Sequence, residues 1–188
     1  MKLHYMSKFD GNVESLPHGE HKPGAVKFKE PGDPRKMGLI ANGISFALYA
    51  VTLPILFLRG GIEAYHFMGC VIALLLAFPH EILHAICFKE DVYLYTNLKN
   101  GLLFVTGPED MSKSRFIFMS MLPNVIFGVL PLMAFIINPE WGFLGTVGAF
   151  AFPMGAGDYL NVFNALNQMP KGARTYLHGF NSYWYIPE

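Results

Sequence analysis

Four long apolar stretches constrain this chain more than anything else in it. They cover residues 38–58, 62–88, 116–137 and 141–166, and each is long enough to carry an α-helix across a bilayer. Lipid offers no hydrogen bonds to a bare backbone, so such stretches have to be helical. Composition agrees: 52% of the residues are hydrophobic and 15% are charged, which departs from a soluble domain toward a membrane protein. The basic residues are also one-sided. Seven Lys and Arg precede the first stretch, one separates the first and second, four the second and third, none the third and fourth, and two follow the fourth. The positive-inside bias then puts both termini and the loop after the second helix in the cytoplasm. A soluble protein with an unusually apolar core fits that asymmetry poorly. Charge is balanced, 14 basic against 14 acidic residues, so no net field points to nucleic acid. Residues 1–36 have no apolar leader core, so insertion is expected to use the internal segments. Cys70 and Cys87 both sit in apolar segments and suggest no disulfide framework.

The chemistry concentrates at His80-Glu81-Ile82-Leu83-His84, in the last turns of the second stretch. Residues four apart share a helix face, so both imidazoles can hold one metal ion. The Glu beside the first His can then reach a water on that ion. Zinc suits such a set, because catalytic zinc takes three protein ligands and keeps a fourth position for water. Pro79, immediately before the motif, removes a backbone donor and favours a kink. An ordinary membrane-helix proline is the equal alternative.

A third ligand is suggested by depth. His80 and His84 lie about 18 and 22 residues from the outer end of the second helix, and Asp158 about 17 from that of the fourth, so at about 1.5 Å per residue they reach similar depths. A carboxylate within an apolar helix needs a partner, and a metal held by two histidines would supply it. Asp158 bonded only to Asn or backbone groups is the plain alternative. Cys87, one turn past His84, and His178, in the polar tail, are weaker candidates. Asn124 and Asn161 lie at comparable depth, and each is a candidate oxyanion donor, a group orienting a ligand, or simply an interhelical hydrogen bond. The fourth stretch is rich in Gly and Ala, which predicts a centrally packed helix.

Outside the helices, residues 1–37 show no periodicity and read as a disordered or loosely docked cytoplasmic arm, in which His4, His18 and His21 are unremarkable. Residues 92–96 and 102–106 are β-branched and aromatic, and flank a five-residue turn at 97–101. They predict a short β-hairpin between the second and third helices, either a structured loop or an edge that holds an extended substrate strand. The aromatic tail, residues 169–188, reads as a membrane-surface anchor.

A membrane helix bearing His80-Glu81-Ile82-Leu83-His84, followed two spans later by Gly157-Asp158, resembles the site-2 protease class of intramembrane zinc metalloproteases. Gly157-Asp158-Tyr159-Leu160-Asn161 followed by Met169-Pro170-Lys171 is also similar to small bacterial membrane proteins of a zincin peptidase family. The resemblance covers residues 62–172. It implies zinc on His80, His84 and Asp158, Glu81 as general base, and membrane-associated protein or peptide substrates of a bacterial cell membrane protease. Site-2 proteases usually carry Asn-Pro-x-Asp-Gly or Leu-Asp-Gly around the Asp, where this chain has Ala156-Gly157-Asp158-Tyr159. The expected layout is a metalloprotease domain over 38–168, with its catalytic core in 62–168, between the polar arm and the aromatic tail. The competing function is a membrane protein that binds zinc or a partner without catalysis. Glu81 argues against it, since a structural site needs no base and usually fills all four positions with protein ligands.

Overall fold

The computed structural model describes residues 1–9, 11–97, 102–179 and 181–188. Strands β1 (Leu3–Lys8) and β2 (Val26–Lys27) lead into helix α1 (Pro34–Gly60), then α2 (Tyr65–Leu75) and α3 (Ala77–Ala85). Strands β3 (Val92–Asn97), β4 (Leu102–Thr106) and β5 (Met111–Ser112) follow, then α4 (Lys113–Pro123), a π-helical turn (Asn124–Val129) and α5 (Leu130–Ile137). Helices α6 (Gly142–Met154) and α7 (Ala156–Gln168) precede β6 (Arg174–His178) and β7 (Asn181–Tyr185). The fold is mostly helical, with two small sheets.

Among the described residues, three helical runs are long and apolar enough to cross a membrane: Arg35–Gly60, Tyr65–Ala85 and Lys113–Ile137. The stretch expected to be a fourth crossing is two 13-residue helices, α6 and α7, meeting at Gly155. Asp33 caps α1 by accepting the Arg35 N–H at 2.9 Å with Pro34 in the first turn, and Gly61, at φ 69°, ends it. The second run breaks at Leu76. Pro79 has no N–H to give the Leu75 carbonyl four residues back, and α2 stops at that residue.

Helix α6 is the hub, packed by α1, α2, α5 and the π turn. Its small residues make this possible: a Cβ on Gly148 would lie 2.5 Å from the Leu132 backbone nitrogen. Pro153, inside α6, leaves the Ala149 carbonyl without its helical donor, and the Thr52 hydroxyl of α1 donates to that carbonyl at 2.9 Å. Ser45 and Tyr49 reach the Pro153 and Phe150 carbonyls from the same face of α1. Leu39, Phe46 and Leu58 point outward from α1 and are largely exposed, which suits a lipid-facing surface.

Strand β3 pairs in parallel with β1 and antiparallel with β4, Leu94 opposite Val105. Of the turn expected at 97–101, Asn97 is the last residue of β3, opposite Leu102, and residues 98–101 lie outside the described residues. The second sheet has the order β2-β7-β6-β5 and is antiparallel throughout.

The arm, expected to be disordered or loosely docked, is not disordered: β1 occupies one edge of β3, and Phe9 and Leu16 are buried against Tyr95. Its pairing with a strand about ninety residues away leaves no local periodicity to read. The tail, expected as a membrane-surface anchor, forms the antiparallel pair β6–β7 of the second sheet, with Tyr176 and Ser182 buried and the Arg174 guanidinium on the Asp110 carboxylate at 2.6 Å.

Candidate active site

Helix α3 carries His80, Glu81 and His84 at its polar end. The two imidazoles, one turn apart, have ring centroids 4.8 Å from each other. One ligating atom each from His80, Glu81 and His84 lie within 4.8 Å of one another. Asp158, in the first turn of α7, faces both rings: Oδ2 is 3.1 Å from His80 Nε2, and Oδ1 is 3.3 Å from His84 Nε2. The three side chains, expected at similar depth from residue counting, come together here.

Asp158 is aimed by Asn124. The Asn124 amide donates one proton to Asp158 Oδ2 and the other to the Ser120 carbonyl, both at 2.8 Å. Both hydrogens are therefore committed, which makes Asn124 a group that positions Asp158 and leaves it no proton for an oxyanion. It occupies the first position of the π turn, a wide turn of the kind often found at functional sites. Asn124 is almost fully buried, and its Oδ1 sits where a Cβ on residue 155 would be, so only glycine fits there.

His84 is aimed by a proline. Pro123 has no N–H for the Met119 carbonyl four residues back, and that carbonyl accepts the His84 Nδ1 proton at 2.9 Å. The bond puts a proton on Nδ1, so that in the neutral ring Nε2 is the nitrogen free to ligate on the side of Asp158. Just beyond α3, Arg115 donates to the Cys87 carbonyl through Nε and Nη2, at 3.0 and 2.6 Å, and to Glu109 Oε1 through Nη1 at 2.5 Å. Glu109 also accepts the Lys89 and Glu90 amides. Burial pushes its carboxyl up, but the Arg115 and amide hydrogen bonds outweigh that and hold it below the ordinary value. This clamp ties the end of α3 to the start of α4, and nothing in the sequence signals it.

Glu81 Oε2 accepts the Val105 N–H at 3.0 Å, so the carboxylate touches the free edge of β4. A cleft of about 830 Å³, counted with its open mouth, contains His80, Glu81, His84, Asp158 and Asn161. Asn161 has no hydrogen bond from its side chain among the described residues, so its amide is available to a ligand. It continues toward Ala73, Phe127 and Ala151 through a cavity that shares His80 and Glu81. Cys87 and His178 are not part of this cluster. The Cys87 thiol donates to the Leu83 carbonyl, and His178 donates to the Gly19 carbonyl and stacks on His21 at 4.2 Å.

The donor set fits a cation. With His84 Nδ1 committed to the Met119 carbonyl, its Nε2 faces a carboxylate oxygen 3.3 Å away, a pair that a proton or a metal ion can bridge. Two imidazole nitrogens and one or two carboxylates within a few ångströms are the donors that zinc prefers. A helix-borne His-Glu-x-x-His set opposed by an acid belongs to the class of zinc-dependent hydrolytic centres.

Within that class, the family can be named. Residues 73–174, more than half of the chain, match the family described as "putative zincin peptidase", and the chain belongs to it. The match includes α3, β4, the π turn and α7, and so every side chain of the cluster. Searches of curated proteins and of solved structures find no significant match.

Proposed function

We propose that the protein is a zinc-dependent membrane peptidase that cleaves membrane-associated polypeptides near the cytoplasmic face. The observation that carries this reading is the convergence of His80, His84 and Asp158, with Glu81 beside them in one open cleft. In it, His80, His84 and Asp158 hold the metal. When bound, zinc supplies a Lewis acid that lets water attack near neutral pH. Glu81 takes the proton of the attacking water and delivers it to the leaving amine. Asn161, one turn past Asp158 and free to donate, is the side chain suited to the developing oxyanion, whereas Asn124 holds Asp158 in place.

The α6–α7 pair, broken at Gly155, serves as a fourth crossing, with both termini and the β3–β4 loop cytoplasmic, a reading that the one-sided Lys and Arg distribution supports. The arrangement is then that of a site-2 protease. Hydrolysis in a bilayer needs an unwound substrate, and the free edge of β4 can hold one by main-chain pairing. Val105 N–H, now on Glu81, points away from β3, so the Leu103 main-chain groups two residues back face the same side.

The deciding experiment is Glu81→Gln in purified protein, assayed for zinc and for peptide cleavage. Zinc should stay bound and cleavage should vanish. Cleavage at the normal rate would remove Glu81 as the base, and full zinc occupancy in Asp158→Ala would remove Asp158 as a ligand.

A further inference from the structure

The cleft does not end at Asn161. A second chamber of about 760 Å³ opens from it, sharing Val105, Gly157 and Asn161 with the first. Its walls are apolar, from Leu16 of the arm, Met37 of α1, Leu160 of α7 and Leu177 of β6. Among the described residues lining it, Glu30 alone is charged. Glu30 Oε1 accepts the Ser182 N–H at 2.6 Å, and no basic side chain pairs with it among the described residues. Burial pushes its carboxyl above the ordinary value, and neither the Ser182 N–H and side chain nor the charge of Lys27 restores it. Thr106, also lining the chamber, is buried with a hydroxyl oxygen that has no partner among the described residues.

An apolar channel with one under-compensated carboxylate and a spare hydroxyl is shaped for a long aliphatic stem that ends in a cation. We infer that this chamber binds a Lys or Arg side chain of the substrate, close to the scissile bond, with Glu30 as its counter-charge. The inference rests on the peptidase reading above. It gives Glu30 a role in specificity and none in the bond-breaking step. It also agrees with the proposed orientation, because membrane polypeptides carry Lys and Arg where their helices leave the bilayer on the cytoplasmic side.

The test uses full-length protein in detergent and single-span synthetic peptides that carry Lys, norleucine or Glu in turn at each position flanking the cleavage site. Cleavage is measured with the wild type, and binding with the Glu81→Gln protein by fluorescence of labelled peptide. At one position Lys should exceed Glu by about tenfold or more in both measurements. Glu30→Gln, which keeps an acceptor for the Ser182 N–H, should abolish that preference, and Glu30→Lys should reverse it. Equal binding of Lys and Glu peptides at every position, or a Lys preference that survives Glu30→Gln, would overturn the inference. Lys-selective binding that depends on Glu30, with no cleavage by the wild type, would sink the peptidase reading and leave the chamber's assignment standing.

Discussion

His84 gives its Nδ1 proton to the Met119 carbonyl, an acceptor that is free because Pro123 cannot donate to it. A backbone defect in one helix thus orients a side chain of another. Pro123→Ala restores an N–H that competes for the carbonyl. Zinc affinity, read by titration against a chelator of known strength, should fall about tenfold, while the helical fold persists. Unchanged affinity would mean that His84 is held by its packing alone.

Asn124 and Gly155 are two halves of one fit, because the Asn124 amide occupies the space above residue 155. Asn124→Ala removes the proton donated to Asp158 and should weaken zinc binding by about 10- to 100-fold. Gly155→Ala should be at least as damaging, since the new methyl displaces Asn124. The double variant should be no worse than the more damaging single one. Strict additivity in chelator titrations would show that the two residues act separately.

Thr52 satisfies the Ala149 carbonyl that Pro153 orphans. Thr52→Val should cost about 1 kcal/mol in unfolding from detergent micelles. In a Pro153→Ala background the helix recovers its own donor, so the same substitution should cost much less. An identical cost in both backgrounds would break the link between the two helices.

The second sheet should be sensitive to acid. The Arg174 guanidinium holds the Asp110 carboxyl below its ordinary value of 3.8, with help from the Tyr185 hydroxyl. Because the folded value is the lower one, the stabilisation is complete above the unfolded value and is lost as pH falls below 3.8 toward the folded one. Trp184, on β7, reports this sheet. Its fluorescence, recorded in a Trp141→Phe background, should change in that acid window, and Asp110→Asn should remove that part of the acid response. An unaltered titration in Asp110→Asn would assign the transition to other carboxyls.

The parts of the site set by local spacing were legible in the sequence. The i, i+4 relation of His80 and His84 needs nothing beyond a helix, and Asp158 could be placed by counting rise along an apolar run. The Asn124 and Asn161 roles stayed open because a side chain's partners depend on helix rotation, which counting does not give. Pro79 allows a kink or an ordinary membrane-helix proline equally, and Gly155 is one small residue among many in the fourth stretch that the Asn124 contact distinguishes. The strands at the two ends were missed for a different reason. β1 pairs with β3 across about ninety residues, and β2 with β7 across more than 150, so β1 and β2 carry no turn chemistry that reveals a hairpin. By contrast, β6 and β7 pair locally, but their aromatic residues also suit a surface anchor.

The pairing of β2 with β7 divides the work along the chain. All the candidate metal donors precede residue 159, whereas Leu177 and Ser182, which wall the cleft and its side chamber, belong to β6 and β7. The donors that would hold a metal and the walls that would choose a substrate thus come from separate parts of the chain, and the two-residue strand β2 fastens the second to the first.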